Sequence, residues 1–341
     1  MKKRRLLLIV PVLLALSAGY VHFVGKVEAA RIAQPLPAAA ASAVASDAAA
    51  VDVTQLMADV STLASPAFEG RKTGTEGGLK ARAYIQGRFE ALGLTPFGSA
   101  YAQPFSFTRT SLKALLKPGQ PYKTEVTGAA NLIGFIKGSK TPSRYIVVSS
   151  HYDHLGVREG KVYAGADDDA SGVAAMLALA AHFKQHAPDH SIVFAAFDGE
   201  EMGLRGAKAF VAALPFPREQ LLMNLNLDMV SRSDEKAIFA AGTSYTPALK
   251  ALVTQAAARS TVKVRLGHDR PVWVAGSVED WTDSSDHGPF HDAGVPFLYF
   301  GVEDHADYHM PTDTADKIDP AFYGDVVKLL IDVAGLMDKL Q

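Results

Sequence analysis

Residues 192–201 read IVFAAFDGEE: an unbroken apolar run from Ile192 to Phe197, then Asp198-Gly199-Glu200-Glu201. Such a run, closed by an acidic turn, predicts a strand buried on both faces. Working outward, β-rich runs recur at Leu132 to Ile136, Tyr145 to Val148, Leu221 to Val230, Ile238 to Ala240 and Val295 to Phe300. Helical patterns fill 171–186, about 203–213, 246–260 and 321–339. Apolar strands separated by helices predict an α/β sandwich with a mostly parallel sheet covered on both faces. From Thr54 to Leu94 the pattern is helical, with Ile85, Phe89 and Leu92 at helical spacing, Thr75 as N-cap and Gly93 as the stop. Residues 96–128, with Pro96, Pro104, Pro118 and Pro121, read as irregular, with room for short strands or a lid. No internal repeat is visible, and 51–341 reads as one continuous α/β unit.

The chain has 341 residues, Lys+Arg 34 against Asp+Glu 36, and a formal net charge of −2. With 48% hydrophobic residues it is not disordered throughout, and it has no basic excess to favour nucleic acid. Cys is 0, which excludes disulfides, Cys-ligated zinc or iron–sulfur sites and a cysteine nucleophile. Any metal must be held by His, Asp or Glu. Lys2, Lys3, Arg4 and Arg5 precede an apolar stretch from Leu6 to about Val24, the layout of an export signal. Val27-Glu28-Ala29 offers a cleavage site, so residues 1–29 read as a signal peptide or, if kept, an N-terminal membrane anchor. Residues 30–50, rich in Ala and Pro, read as a linker. The predicted location is the periplasm or the exterior after cleavage, or the inner membrane facing the periplasm if the anchor is retained.

In open α/β sheets ligands bind beyond the carboxyl ends of the strands. His151 follows one strand end in SSHYDH; Asp198, Glu200 and Glu201 follow another in FDGEEMG. Asp228 ends the strand in NLNLDMV, His309 lies past the last strand in DYHMPTDT, and Asp168 sits in the turn GADDDASG. Taken singly, a strand-end His is commonly structural, a Glu pair commonly a solvated helix start, and an Asp run commonly a helix cap. Asp228 differs, because an unpaired carboxylate in an apolar strand is costly. Jointly the set suits a hydrolytic zinc pair. Asp168 is placed to bridge two ions, His151 and Asp228 to serve one, and Glu201 and His309 the other. Glu200 remains free as general base for a metal-bridged hydroxide.

These segments resemble the ordered motifs of the co-catalytic zinc aminopeptidases, the superfamily of bacterial leucyl aminopeptidases, glutamate carboxypeptidase II and glutaminyl cyclases. The resemblance covers roughly residues 53–340. It implies a three-layer α/β/α sandwich with a mostly parallel mixed central sheet, and a catalytic domain at 51–341. It implies zinc, two per chain, at His151, Asp168, Glu201, Asp228 and His309, with Mn or Co as other metals such ligands suit. Glu200 matches the base, Asp153 the residue that steers the His151 imidazole, and Tyr308 a donor to the tetrahedral oxyanion. Asp286 and His287, in SSDHGPF, match a segment near the substrate pocket. One departure is Asp169, where the family usually has Asn. The implied reaction is removal of N-terminal residues from short peptides. A glutaminyl cyclase, a carboxypeptidase and a non-catalytic binding protein stand as alternatives. His154, His291 and His305 read as residues of the site mouth, His182 and His186 as an exposed helix face, and Trp273 and Trp281 as an apolar wall or core.

Overall fold

The computed structural model describes residues 51–110, 122–270 and 279–340. The predicted signal or anchor, the Ala-rich linker and Trp273 lie outside the described residues. Two helices lead, α1 (Val53–Leu63) and α2 (Glu76–Ala91), joined by a 3-10 turn at Pro66–Arg71. Thr75 caps α2 by accepting from the Gly78 amide, and Gly93 follows in a left-handed conformation. The helical pattern over 54–94 is thus two helices, the second starting after the expected cap Thr75. Gly70 has φ +66°, and a Cβ on it would lie 2.3 Å from the Tyr163 carbonyl, so this turn packs directly against the later chain.

Strands β1 (Thr95–Pro96), β2 (Ala102–Thr110), β3 (Lys123–Ile136) and β4 (Thr141–His151) follow. The segment expected to be irregular at 96–128 therefore contributes sheet, with β2 and β3 paired antiparallel. Next come a two-stranded ribbon of β5 (Gly156–Arg158) and β6 (Lys161–Tyr163), and a tight turn at Ala166–Ser171. Helix α3 (Gly172–Gln185) leads to β7 (His190–Phe197), and α4 (Arg205–Ala212) to β8 (Leu221–Leu227). The chain ends with β9 (Ala237–Ala241), α5 (Pro247–Ala257), β10 (Lys263–Leu266), α6 (His287–Asp292), β11 (Phe297–Gly301) and α7 (Pro320–Asp338).

The sheet runs in the order β1-β3-β7-β4-β8-β11-β9-β10, with β2 beside β3. Its centre, β7-β4-β8-β11, is parallel; β3 and β9 run antiparallel to their inner neighbours. Side chains alternate across β4 and β7. Ile146, Val148, Ile192, Phe194 and Ala196 pack against α1, α2, α3, α5 and α7, while Val147, Val193, Ala195 and Phe197 pack against Phe210 of α4 and Phe290 of α6. Two covered faces explain why these strands read as continuous apolar runs. The parallel centre also delivers His151, Phe197, Leu227 and Gly301 to one edge, where the polar residues of the following turns meet.

Candidate metal centre and active site

The turn at 166–171 aims three consecutive aspartates three ways. Asp167 accepts from the Ser231 amide and hydroxyl, and its other oxygen lies 3.1 Å from His305 Nε2. Asp169 accepts from the amides of His151 (3.2 Å), Gly172 (2.8 Å) and Met229 (3.2 Å), tying together the exits of β4 and β8 and the start of α3. All three partners are main-chain donors. A carboxylate offers acceptors on both oxygens, whereas an amide would turn an N–H toward another N–H. That accounts for Asp at 169, at the expense of burial, which pushes its carboxyl well above the usual range. Asp168 is left to face the site. Beneath the turn lies Arg71, wholly buried, whose guanidinium donates to the carbonyls of Leu63, Tyr152, Ala164 and Gly165.

Asp168 stands between two groups of ligands. On one side His151 Nε2 is 3.3 Å from Asp168 Oδ1 and 3.5 Å from Asp228 Oδ1. On the other, His309 Nε2 is 3.1 Å from Asp168 Oδ2 and 3.3 Å from Glu201 Oε1. The residues predicted as ligands are thus brought together as two sets sharing Asp168. A third imidazole joins the second set: His154 Nδ1 lies 2.8 Å from Glu201 Oε1 and 3.5 Å from Asp168 Oδ2. His154, expected at the site mouth, is buried instead at the bottom of this group. Its spacing from His151 in SSHYDH is the one sequence signal that could have placed it here.

The electrostatics are those of a cation site. Asp168 Oδ2, Glu201 Oε1 and both nitrogens of His154 are buried without a hydrogen-bond partner. Such groups are costly unless a metal satisfies them. Burial pushes Asp168 upward, but the His154, His151 and His309 imidazoles outweigh it and hold the carboxyl well below the usual range. Burial likewise favours neutral His309, yet Asp168 and Glu201 raise it to about 10. With nitrogen and oxygen donors only, in sets of one or two imidazoles and two carboxylates, the residues fit zinc. His151, Asp169 and Asp228 also lie close enough to form a group, but both oxygens of Asp169 are engaged by amides.

Glu200 adjoins both sets. Burial, Asp286, Asp228 and Glu201 push its carboxyl well above the usual range, against the lowering effect of His151. Its amide donates to Asp153 Oδ1 at 2.9 Å. The atom of Asp153 that meets the His151 ring is a main-chain one. The His151 Nδ1 bond goes to the Asp153 main-chain carbonyl at 3.1 Å, while the Asp153 carboxylate stands 3.8 Å away. The carboxylate instead fixes the backbone of Glu200 and accepts from Thr73. The same Thr73 hydroxyl lies 2.8 Å from Asp198, so its single proton is shared between the two carboxylates, and Asp198 accepts further from Tyr152, Arg82 and the Ala130 amide. This buried network holds the turn that carries the glutamate pair; Asp198 is in FDGEEMG, but Thr73 and Arg82 lie in no motif that would reveal it.

A cavity of about 410 Å³ opens over the two sets. Leu204, Met229, Trp281 and Val302 line it, with Tyr308 and the rim carboxylates Glu279, Asp283 and Asp304. Asp286 and His287, expected in the pocket, do not line it. His287 is wholly buried, bonded through Nε2 to the Trp281 carbonyl and stacked against Phe297, because β11 and α6 close over it. Asp286 is also buried, and burial raises it to about 7. His287 supports Trp281 of the wall from behind, and Asp286 acts on the charge of Glu200. His291 packs on Tyr245 away from the cavity, and His182 and His186 stack on each other along α3. Among the described residues, no Lys or Arg lines the cavity. Arg205 bonds to the Met202 carbonyl, Arg265 pairs with Glu235, and Arg270 donates to Ser244.

A mixed sheet that presents two sets of buried His and carboxylate ligands at the ends of its parallel strands has the layout of a two-metal site. Residues 131–334 match the model of peptidase family M28, and the chain belongs to that family. It is 29% identical over 234 residues to a probable zinc metalloprotease of Pyrenophora tritici-repentis, covering 58% of this chain and 52% of that one. It is 32% identical over 197 residues to aminopeptidase YwaD of Bacillus subtilis, covering 55% of this chain and 40% of that protein. The matches span about half the length, or less, of these curated relatives. Among solved structures, the fold is similar to an aminopeptidase from Aneurinibacillus sp. strain AM-1 (TM-score 0.63, 19% identity, 83% of this chain and 93% of that one). It is also similar to a glutaminyl cyclase of Fimbriiglobus ruber (TM-score 0.66, 23% identity, 89% and 100%).

Proposed function

We propose that the chain is an exported dinuclear zinc aminopeptidase acting on short peptides with a free N-terminus. The observation that carries this reading is a cavity over two ligand sets, rimmed by Glu279, Asp283 and Asp304 and, among the described residues, lined by no Lys or Arg. Carboxylates suit a substrate ammonium, whereas a carboxypeptidase needs a cation for the terminal carboxylate. His151, Asp228 and Asp168 would hold one ion, and Glu201, His309 and Asp168 the other. Bound zinc polarises the scissile carbonyl and lowers the pKa of water from 15.7 toward about 7.

The chain's own residues do the rest. Glu200 takes the proton of the attacking water and returns it to the leaving amine, and its elevated affinity for a proton suits both transfers. Asp153 keeps the Glu200 backbone in place, and its carbonyl holds His151 with Nε2 toward the ligands. Tyr308, on the cavity wall, donates to the carbonyl oxygen as charge develops on it. Leu204, Met229, Trp281 and Val302 give the substrate side chain an apolar seat. The basic and then apolar N-terminus supports delivery to the periplasm, with an inner-membrane anchor as the other outcome.

A panel of aminoacyl chromogenic substrates tests this, run beside N-acetylated peptides, C-terminally reporting peptides and N-terminal glutaminyl peptides. Release from free N-termini alone, lost with chelator and restored by zinc, is expected. Cyclisation of glutaminyl peptides with one zinc per chain would replace the reading with a cyclase.

A further inference from the structure

We propose that His154 is a fourth protein ligand of the second metal position, binding through Nδ1, so that the two positions differ in kind. The inference rests on the two-ion reading above. His154 is 1% exposed, and neither ring nitrogen has a hydrogen-bond partner. A buried imidazole ordinarily makes an aligned bond from one nitrogen; here Nε2 has no partner and Nδ1 has close contacts to two carboxylate oxygens but no aligned bond. Nδ1 faces Glu201 Oε1 at 2.8 Å and Asp168 Oδ2 at 3.5 Å, and His309 Nε2 faces the same two oxygens at 3.3 and 3.1 Å. Ligands about 2.0–2.1 Å from a tetrahedral zinc stand about 3.3–3.4 Å apart. These spacings bracket that edge, so one ion between the two oxygens is within reach of both imidazoles.

The packing fixes the ring from behind. A Cβ on Gly165 would lie 2.6 Å from His154 Cδ2, so the ring sits hard against the turn that carries Asp168. His309 approaches from the open side, with its side chain 39% exposed. Four protein ligands close a position, as in structural zinc sites, whereas three leave room for water or substrate. The position built by His151, Asp228 and Asp168 stays open; the one built by His154, Glu201, His309 and Asp168 is filled by the protein.

Two measurements test this. In a long-range 1H–15N spectrum of zinc-loaded wild-type protein, three imidazoles are expected to be metal-bound, His151 and His309 through Nε2 and His154 through Nδ1. In competition with a chromophoric chelator, wild type is expected to keep one zinc tightly and yield the other first. His154→Ser should lower the affinity of the tight zinc at least tenfold. Two zincs with only the two Nε2-bound imidazoles would overturn the proposal and leave the two-ion reading intact. Uptake of fewer than two zincs by wild type would overturn both. The spectrum of the wild type decides the matter even if His154→Ser does not fold.

Discussion

Arg71→Met removes the guanidinium beneath the metal-site turn while keeping much of its bulk. Four hydrogen bonds disappear, to Leu63 (2.8 Å), Tyr152 (3.0 Å), Ala164 (2.6 Å) and Gly165 (2.8 Å). Charge-assisted bonds contribute about 1.5–3 kcal/mol each, so the gross loss is roughly 6–12 kcal/mol. Against this stands the cost of burying the cation, several kcal/mol, which the variant no longer bears. The net expectation is a destabilisation of about 3–5 kcal/mol, the range for removing one partner from a buried charged network. That is a large part of the 5–15 kcal/mol typical of a domain, and about 10 °C in Tm. Urea unfolding of the zinc-free protein, followed by far-UV circular dichroism, keeps metal binding out of the comparison. Arg71→Lys restores the charge but not the planar fork, and should fall between wild type and Arg71→Met. If Arg71→Met unfolds within 1 kcal/mol of wild type, the four carbonyls have found other partners and the anchoring role is wrong.

Glu200→Gln should lower kcat by about 10²–10⁴ while zinc content, measured by atomic emission, stays at the wild-type value; retained activity would remove Glu200 from proton transfer. In zinc-free protein the His309 imidazole should titrate near 10, since Asp168 and Glu201 favour its charged form. Its folded pKa lies above the ordinary 6.5 of a free imidazole, so its stabilising pairing is present below 6.5 and lost as pH rises toward 10. Zinc must displace that proton, so affinity should strengthen by up to tenfold per pH unit between 7 and 9, and an isothermal titration that is flat across that window would contradict the assignment. Gly172→Ala places a Cβ 2.4 Å from Asp169 Oδ1 and 2.3 Å from the Leu227 carbonyl. It should cost several kcal/mol and most zinc binding, both read from unfolding curves and metal analysis; a wild-type Tm would show that Asp169 is free to move.

Much of the site is legible in the chain because strand ends in a parallel sheet all reach one edge. Once IVFAAF, YIVV and LNL are read as buried strands, the acids and histidines that follow them must assemble. Asp153 shows where this stops. Its position two residues after His151 marks it as part of the site, but whether carbonyl or carboxylate meets the imidazole is a matter of rotamer and distance. His287 adjoins the pocket in sequence and lies behind its wall in space, held by the Trp281 carbonyl, while Asp286 is buried close enough to Glu200 to raise its carboxyl. Arg71 stands far along the chain from the turn that it supports, and only the close approach at Gly70 brings the two together.

The α/β class and the ligand types are written in the local sequence, through apolar runs of strand length, the placement of polar residues at their ends and the absence of cysteine. Those properties depend on neighbours along the chain. Only the assembled fold shows how three adjacent aspartates divide their work, that His154 turns inward to Glu201, and that the cavity is rimmed by carboxylates with no Lys or Arg among the described lining residues. These outcomes depend on which lone pairs and N–H groups from distant segments come within about 3 Å of one another, a distance at which burial and partner choice outweigh residue type.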